Sequence, residues 1–194
     1  LDRRASDDEF SRKLNEAVPN EGHFAMARLE REGVLKHTVT QNIDNLHALA
    51  GSVLLTEIHG NRTKARCTGC GDRRDFGEID TSSLPPACAR CGGMVKSDVV
   101  MFGEPIPVDA LREAQAQAER ADCILVVGTS AVVYPAASIP EIVLRNGGTL
   151  IEVNKDPTPY TRYAEVAIHA AAGETLPAIA EAVAALDGNR KARN

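Results

Sequence analysis

Tryptophan is absent and aromatic residues make up only 4% of the chain, so the interior has to be assembled from aliphatic side chains and alanine. No apolar run reaches the roughly 18–20 residues of a membrane-spanning helix. The opening Leu1-Asp2-Arg3-Arg4 is not followed by the apolar stretch of a secretion signal, which sets the expectation of a cytoplasmic protein with no membrane partner. A basic excess is missing as well. The 22 Lys and Arg stand against 27 Asp and Glu, for a net charge of -5, and no specific nucleic-acid partner is expected. Residues 61–100 are slightly basic, too weakly to mark a DNA-binding patch. Glycine does not occur before Gly22, and the sequence opens without methionine.

What is present suffices for one core. The chain has 194 residues, 43% of them hydrophobic, which fits an ordinary domain with a small inserted module. Phe10 and Leu14, four apart, mark a helix over 7–17 that Pro19 ends. A second helix is expected from Gly22 to Glu32, with Phe24, Ala25 and Leu29 inward and Gly33 closing it. Val34–Val39 reads as a strand, Thr40–Asn45 as a polar loop, Leu46–Ala50 as one or two helical turns, and Val53–Ile58 as a strand. After residue 98 the sequence alternates: helix Asp109–Arg120, strand Cys123–Val127, helix Pro135–Arg145, strand Thr149–Val153, strand Glu165–His169, helix Glu174–Leu186. Such alternation predicts an α/β fold, a Rossmann-like parallel sheet with helices on both faces. The expected division is a main domain from 1–60 and 99–188, an inserted module over 61–98, and a disordered tail over 189–194.

The inserted stretch carries four of the five cysteines. Cys67 and Cys70 form one Cys-x-x-Cys pair, Cys88 and Cys91 another, flanked by Gly69, Gly71, Gly92 and Gly93. Two such turns complete a tetrahedral zinc site with Zn–S distances of about 2.3 Å, and four protein ligands leave no open position, so one structural Zn2+ per chain is expected. The segment has too few apolar residues to fold by burial alone, so the metal would supply its folding energy. A redox dithiol is the other reading of these pairs. Cys123 lies in an apolar run and reads as a small core residue.

Gln41, Asn42 and Asp44 lie past the carboxyl end of an expected strand, where ligands bind in open α/β sheets. They could equally be a solvated turn capping the next helix. His59 ends a strand before a glycine; it is either a hydrogen-bonded structural residue or a general base. Gly128-Thr129-Ser130 follows one buried strand and Asn154 the next, small and polar groups suited to phosphate and ribose.

Thr40-Gln41-Asn42-Ile43-Asp44-Asn45-Leu46-His47 resembles the signature of the sirtuin family of NAD-dependent protein deacylases. Ile58-His59-Gly60-Asn61, Val99-Val100-Met101-Phe102-Gly103-Glu104, Gly128-Thr129-Ser130, Glu152-Val153-Asn154 and Ala172-Gly173-Glu174-Thr175-Leu176-Pro177 follow in that family's order. The resemblance covers residues 9 to 186 and implies a lysine deacetylase that moves the acyl group to ADP-ribose and releases nicotinamide. It implies catalytic roles for His59, Asn42 and Asp44, with His59 as general base. NAD would contact Gln41, Asn42, Asp44, Gly128, Thr129, Ser130, Asn154 and Ala172. The acyl-lysine protein or peptide would lie on Val100, Met101, Phe102, Gly103 and Glu104, its backbone adding as a strand between Gly103-Glu104 and the segment after Ser130. A monomer is expected.

The sequence departs from that family in one respect: the glycine-rich strand-turn-helix and the cofactor loop with which such enzymes open are not in it. NAD binding by these 194 residues alone is therefore expected to be weak, and the chain inactive as it stands. Succinyl-preferring sirtuins carry a Tyr and an Arg near the positions of Asp7 and Phe10, where no Tyr occurs, so acetyl-lysine is the expected substrate. Mono-ADP-ribosyl transfer and a non-catalytic acyl-peptide or zinc scaffold remain the alternatives.

Overall fold

Pro19-Asn20 starts a helix by side-chain capping. The Asn20 Oδ1 accepts the backbone N–H of Gly22 at 3.0 Å and of His23 at 3.3 Å, while the His23 ring accepts the Asn20 N–H. Helix α1 (Glu21–Arg31) ends where Gly33 takes φ +74° and the Val34 N–H turns back to the Leu29 carbonyl. Ala25 and Leu29, one turn apart, are buried, whereas Phe24 is exposed, against expectation, because it projects off that stripe. The computed structural model describes residues 12, 14 and 16–191, with side chains through Leu186. The helix expected over 7–17 lies outside these residues except at Arg12, Leu14 and Glu16, which are helical; Asp7 and Phe10 lie outside them.

The elements that follow are β1 (Thr38–Thr40), α2 (Leu46–Leu49), β2 (Leu55–Glu57), β3 (Lys64–Cys67), β4 (Arg73–Asp75), β5 (Val95–Ser97), α3 (Val108–Arg120), β6 (Cys123–Val127), α4 (Ile139–Arg145), β7 (Thr149–Val153), β8 (Val166–Ile168) and α5 (Ala172–Lys191). Strand β1 is shorter than expected because the first residues after α1 are spent closing the helix. The last helix begins two residues before Glu174 and continues through Asn189 to Lys191. Among the described residues no helix is long and apolar enough to cross a membrane.

The chain forms two compact units. One is built from Pro19–Val39, His47–Thr56 and the chain from Val108; the other contains Thr40–Leu46 and Glu57–Pro107. In the first, β6, β7 and β8 make a parallel sheet in that order, with Val127 opposite Val153 and Val153 opposite Ile168. Alternation along β6 explains the layers. Leu125 and Val127 pack on the core that α1 and α5 share, with Ala25, Leu29, Leu176 and Ala180 at its centre. Ile124 and Val126 face the other way, toward Leu150, Tyr160 and Leu144. Burying leucines such as Leu29 and Leu176 stabilises this layer by about 1.5–3 kcal/mol each. Helices thus cover both faces of a parallel sheet, the α/β class expected. Cys123 at the start of β6 is exposed, not a core residue; it is the first residue of an edge strand of this three-stranded sheet.

The other unit holds the antiparallel sheet β4-β3-β5, with Arg66 opposite both Arg73 and Lys96. Its small core is Ala65, Cys67, Cys88 and Val95. The unit extends beyond 61–98 because Glu57 bonds to Asn61 and Arg73, and Asn45 in the loop after β1 bonds to Asn61.

Candidate active site

The loop after β1 is fixed from both ends. Thr40 Oγ1 accepts the Asn42 N–H at 3.1 Å, and Asp44 Oδ1 accepts the Leu46 N–H at 2.9 Å where α2 begins. Asn45 adopts φ +67°, which asparagine tolerates. Between these points the Ile43 carbonyl accepts the Arg62 N–H at 3.0 Å. One Asp44 oxygen is therefore committed to the helix start. Asn42 is exposed, and Gln41 half-buried.

His59 lies two residues past the end of β2, half-buried, its Nδ1 3.2 Å from the Gln41 carbonyl oxygen. A carbonyl can only accept, so Nδ1 carries the proton, which leaves Nε2 as the nitrogen that can bear a lone pair. That is the tautomer a general base needs. The His59 carbonyl accepts the Val100 N–H at 3.0 Å, so the histidine and the Val100 segment are adjacent strands of backbone.

Beneath His59 is a buried polar network. Asn61 is fully buried: its amide donates to Asn45 Oδ1 at 2.8 Å and to Glu57, and its carbonyl oxygen accepts the Thr63 N–H and hydroxyl. The Asn61 N–H donates to Asp98 Oδ2 at 2.9 Å. Asp98, also buried, accepts Arg66 Nε at 2.8 Å and Arg73 Nε at 2.7 Å, and Arg73 reaches Glu57 at 2.6 Å. Burial alone would raise the Asp98 pKa, but the two guanidinium groups overcome it and hold the carboxyl below its usual range. Arg73 shifts up for the mirror reason, its carboxylate partners outweighing burial.

The segment Val100–Glu104 is open. Met101 is exposed and Phe102 wholly so, and Gly103 takes φ +85°. Glu104 folds back, accepting Lys96 Nζ at 2.9 Å and the Met101 N–H at 3.1 Å; the lysine holds its carboxyl below the ordinary value. The Val100 N–H is engaged by the His59 carbonyl.

The remaining expected cofactor residues lie in the other unit. Gly128 and Asn154 directly follow adjacent parallel strands, and the Gly128 N–H continues the ladder to the Val153 carbonyl at 3.0 Å. Gly128 has φ +57° with open space around its Cα. The turn closes through Ala131 N–H on Thr129 Oγ1 at 3.1 Å, leaving Ser130 exposed. Asn154 donates to the Asp156 carbonyl at 2.7 Å. Open backbone, hydroxyls and an amide at the carboxyl edge of a parallel sheet suit a dinucleotide. Ala172 opens α5, its carbonyl against Gly22.

The four cysteines converge. Their sulfurs all lie within 4.8 Å of one another, with Cys67 and Cys91 at 3.5 Å and Cys70 and Cys88 at 3.8 Å. A tetrahedral zinc at Zn–S near 2.3 Å sets its sulfurs about 3.8 Å apart, so the cluster fits that ion. Amide N–H bonds at the knuckle, the Cys70 backbone first, hold Cys67 down at about 6. Cys91 is pushed up to about 12, the surrounding thiols and burial outweighing the Gly93 amide. A shallow cavity of about 430 Å³ elsewhere in this unit is lined by Lys64, Arg73, Arg74, Asp75 and Glu78.

The sequence reading missed Glu57, Asn61, Arg66, Arg73 and Asp98. Arg66, Arg73 and Asp98 lie in a polar segment and read as solvated, Glu57 sits in a largely apolar strand and Asn61 is uncharged, so only the fold brings these five together.

Residues 6–135 match the Sir2 family. An NAD-dependent protein deacylase of Thermococcus kodakarensis is 48% identical over 173 residues, which cover 86% of this chain and 67% of that one. NAD-dependent protein deacylase 2 of Pyrobaculum aerophilum is 46% identical over 167 residues, with the same coverage of each. Among solved structures, a Sir2 homologue–NAD complex superposes with TM-score 0.78 at 43% identity, covering 90% of this chain and 68% of that one. Sir2 bound to an acetylated peptide superposes with TM-score 0.75 at 36% identity, over 88% and 73%. With an α/β sheet, a four-cysteine cluster and these relatives, the chain belongs to the Sir2 family.

Proposed function

We propose that this chain is an NAD-dependent protein-lysine deacylase, acting on acetyl-lysine in a protein or peptide. The acyl-lysine amide and water are consumed with NAD, and free lysine, nicotinamide and O-acyl-ADP-ribose are formed. NAD supplies the ribose carbon that receives the acyl oxygen as nicotinamide leaves.

The chain's own residues do the rest. His59 Nε2 takes the proton of a ribose hydroxyl while Nδ1–H stays on the Gln41 carbonyl, so the imidazolium that forms is held in place. The free Asp44 oxygen accepts from the nicotinamide amide, Asn42 orients a water, and Gln41 contacts the ribose. Gly128, Thr129, Ser130 and Asn154 hold the phosphate and adenosine portions, with Ala172. The Val100 carbonyl accepts the acyl-lysine N–H, and Met101, Phe102, Gly103 and Glu104 line its path. Zinc, held by Cys67, Cys70, Cys88 and Cys91, keeps that module folded and takes no part in the reaction. The protein acts as a monomer in the cytoplasm, on a protein or peptide and not on nucleic acid.

The observation that carries this proposal is the His59 tautomer beside the Val100 backbone. In the full natural polypeptide, His59→Ala should lower kcat for an acetyl-peptide by about 10²–10⁴. Retention of activity within tenfold, or transfer of labelled ADP-ribose to protein without acyl-lysine, would defeat it.

A further inference from the structure

We infer that Asp98 is a positioning residue for this reaction, fixing the Val100–Glu104 segment against His59. The inference rests on the roles proposed above for His59 and Val100.

Two short stretches of backbone, His59–Asn61 and Asp98–Val100, lie side by side. At one end the Val100 N–H meets the His59 carbonyl at 3.0 Å. At the other the Asn61 N–H meets Asp98 Oδ2 at 2.9 Å. Between them the backbones are pressed together: a Cβ on Gly60 would stand 2.0 Å from the Asp98 carbonyl oxygen. Directly between these two stretches the register rests on one backbone bond and one carboxylate, while the Asp98 N–H anchors its own stretch to the Lys64 carbonyl at 3.0 Å.

That carboxylate is itself held from the cysteine module. Arg66, beside Cys67 on β3, takes Oδ1 at 2.8 Å; Arg73, on β4, takes Oδ2 through Nε at 2.7 Å and Nη2 at 2.6 Å. The Asp98 side chain is fully buried, so these bonds are not weakened by competition from water. Oδ2 receives the Asn61 N–H and both Arg73 nitrogens, leaving Oδ1 to Arg66. An asparagine at 98 would keep its carbonyl on the crowded side and turn its NH2 against Arg66, donor facing donor. The register would loosen while the fold retained its shape.

The test compares Asp98→Asn, Arg66→Met and the double variant with the wild type, each as the full natural polypeptide loaded with zinc, on an acetyl-peptide. Asp98→Asn should lower kcat at least tenfold and Arg66→Met three- to tenfold. The double variant should be no worse than Asp98→Asn within twofold, since both remove one constraint. KM for NAD should stay within twofold and zinc at one per chain. A kcat for Asp98→Asn within twofold of wild type overturns the inference. So does a loss that tracks missing zinc or raises KM for NAD in step, which marks a merely structural role. If His59→Ala keeps its activity in the same assay, the functional reading itself falls; if it is dead while Asp98→Asn is active, only the positioning role does.

Discussion

Replacing Gly60 by alanine tests the close backbone approach beneath His59. The residue takes φ +77°, so any side chain carries a left-handed penalty of about 1–2 kcal/mol. The added Cβ would also lie 2.0 Å from the Asp98 carbonyl oxygen and 2.7 Å from its carbon, both backbone atoms that no side-chain rotation can move aside. Carbon and oxygen approach normally to about 3.3–3.6 Å, so the two backbones must part by more than an ångström. Overpacking of this kind costs about 1–3 kcal/mol. The movement also strains the Asn61 N–H bond to the buried Asp98 carboxylate, a charged bond that contributes about 1.5–3 kcal/mol. The combined loss is about 3–6 kcal/mol, allowing for partial relaxation. Gly103→Ala is the control: φ is +85°, nothing lies within 4 Å of the new Cβ, and only the conformational penalty of about 1–2 kcal/mol applies. Urea unfolding at fixed zinc, read from the midpoint at constant m, gives both values. Equal destabilisation of the two variants would show that the Gly60–Asp98 contact is slack and would refute the reasoning.

Removing zinc with a chelator should release one ion per chain and speed amide exchange in β3, β4 and β5 while β6 and β7 keep their protection; unchanged exchange would contradict a metal-held module. His37, bonded to Thr56 at 2.8 Å, has its pKa lowered by burial against the pull of Glu113 and Glu30. The folded state favours the neutral ring, so stability is full above about pH 6.5 and falls as pH drops from there toward the folded pKa. His37→Gln should flatten that slope in acid-unfolding curves, and an unaltered slope would assign it elsewhere. Glu152, fully buried, accepts the hydroxyls of Thr158 and Thr161, which in turn accept the N–H groups of Tyr160 and Thr158. Glu152→Gln keeps one acceptor oxygen and sets an NH2 against the other hydroxyl, whose proton then loses its acceptor, for a loss of about 1–3 kcal/mol in thermal or urea unfolding. A neutral outcome would mean the loop after β7 is held by other contacts.

The elements most legible in the sequence were those in which one force dominates. Cys123–Val127 is a continuous apolar run and Thr149–Val153 a largely apolar one, and both strands begin and end where expected. The cysteine pairs were equally plain, since their spacing admits few geometries. Val34–Val39 was misjudged at its start because helix closure competes with strand pairing for the same residues. Phe24 was misplaced because hydrophobicity alone does not fix which side of a helix faces the core. Cys123 was assigned inward from its apolar neighbours, but the first residue of an edge strand has less to pack against. The polar loop and His59 could be nominated from residue type, whereas the tautomer required the Gln41 carbonyl to be placed. The Asp98 cluster left no local trace, for its members are separated by up to 41 positions and meet only through the β3 register.

Strand β3 alternates strictly: Ala65 and Cys67 are buried on one side, Lys64 and Arg66 less so on the other. A thiol meant for a metal and a cation meant for a carboxylate therefore occupy opposite surfaces of the same four residues. One amino acid inserted or deleted within that strand would exchange the two surfaces, driving the guanidinium into the small apolar core and the sulfur away from its three companions. The length of this strand should consequently be less tolerant of change than its composition: Lys64 can become many things, but nothing can be added beside it.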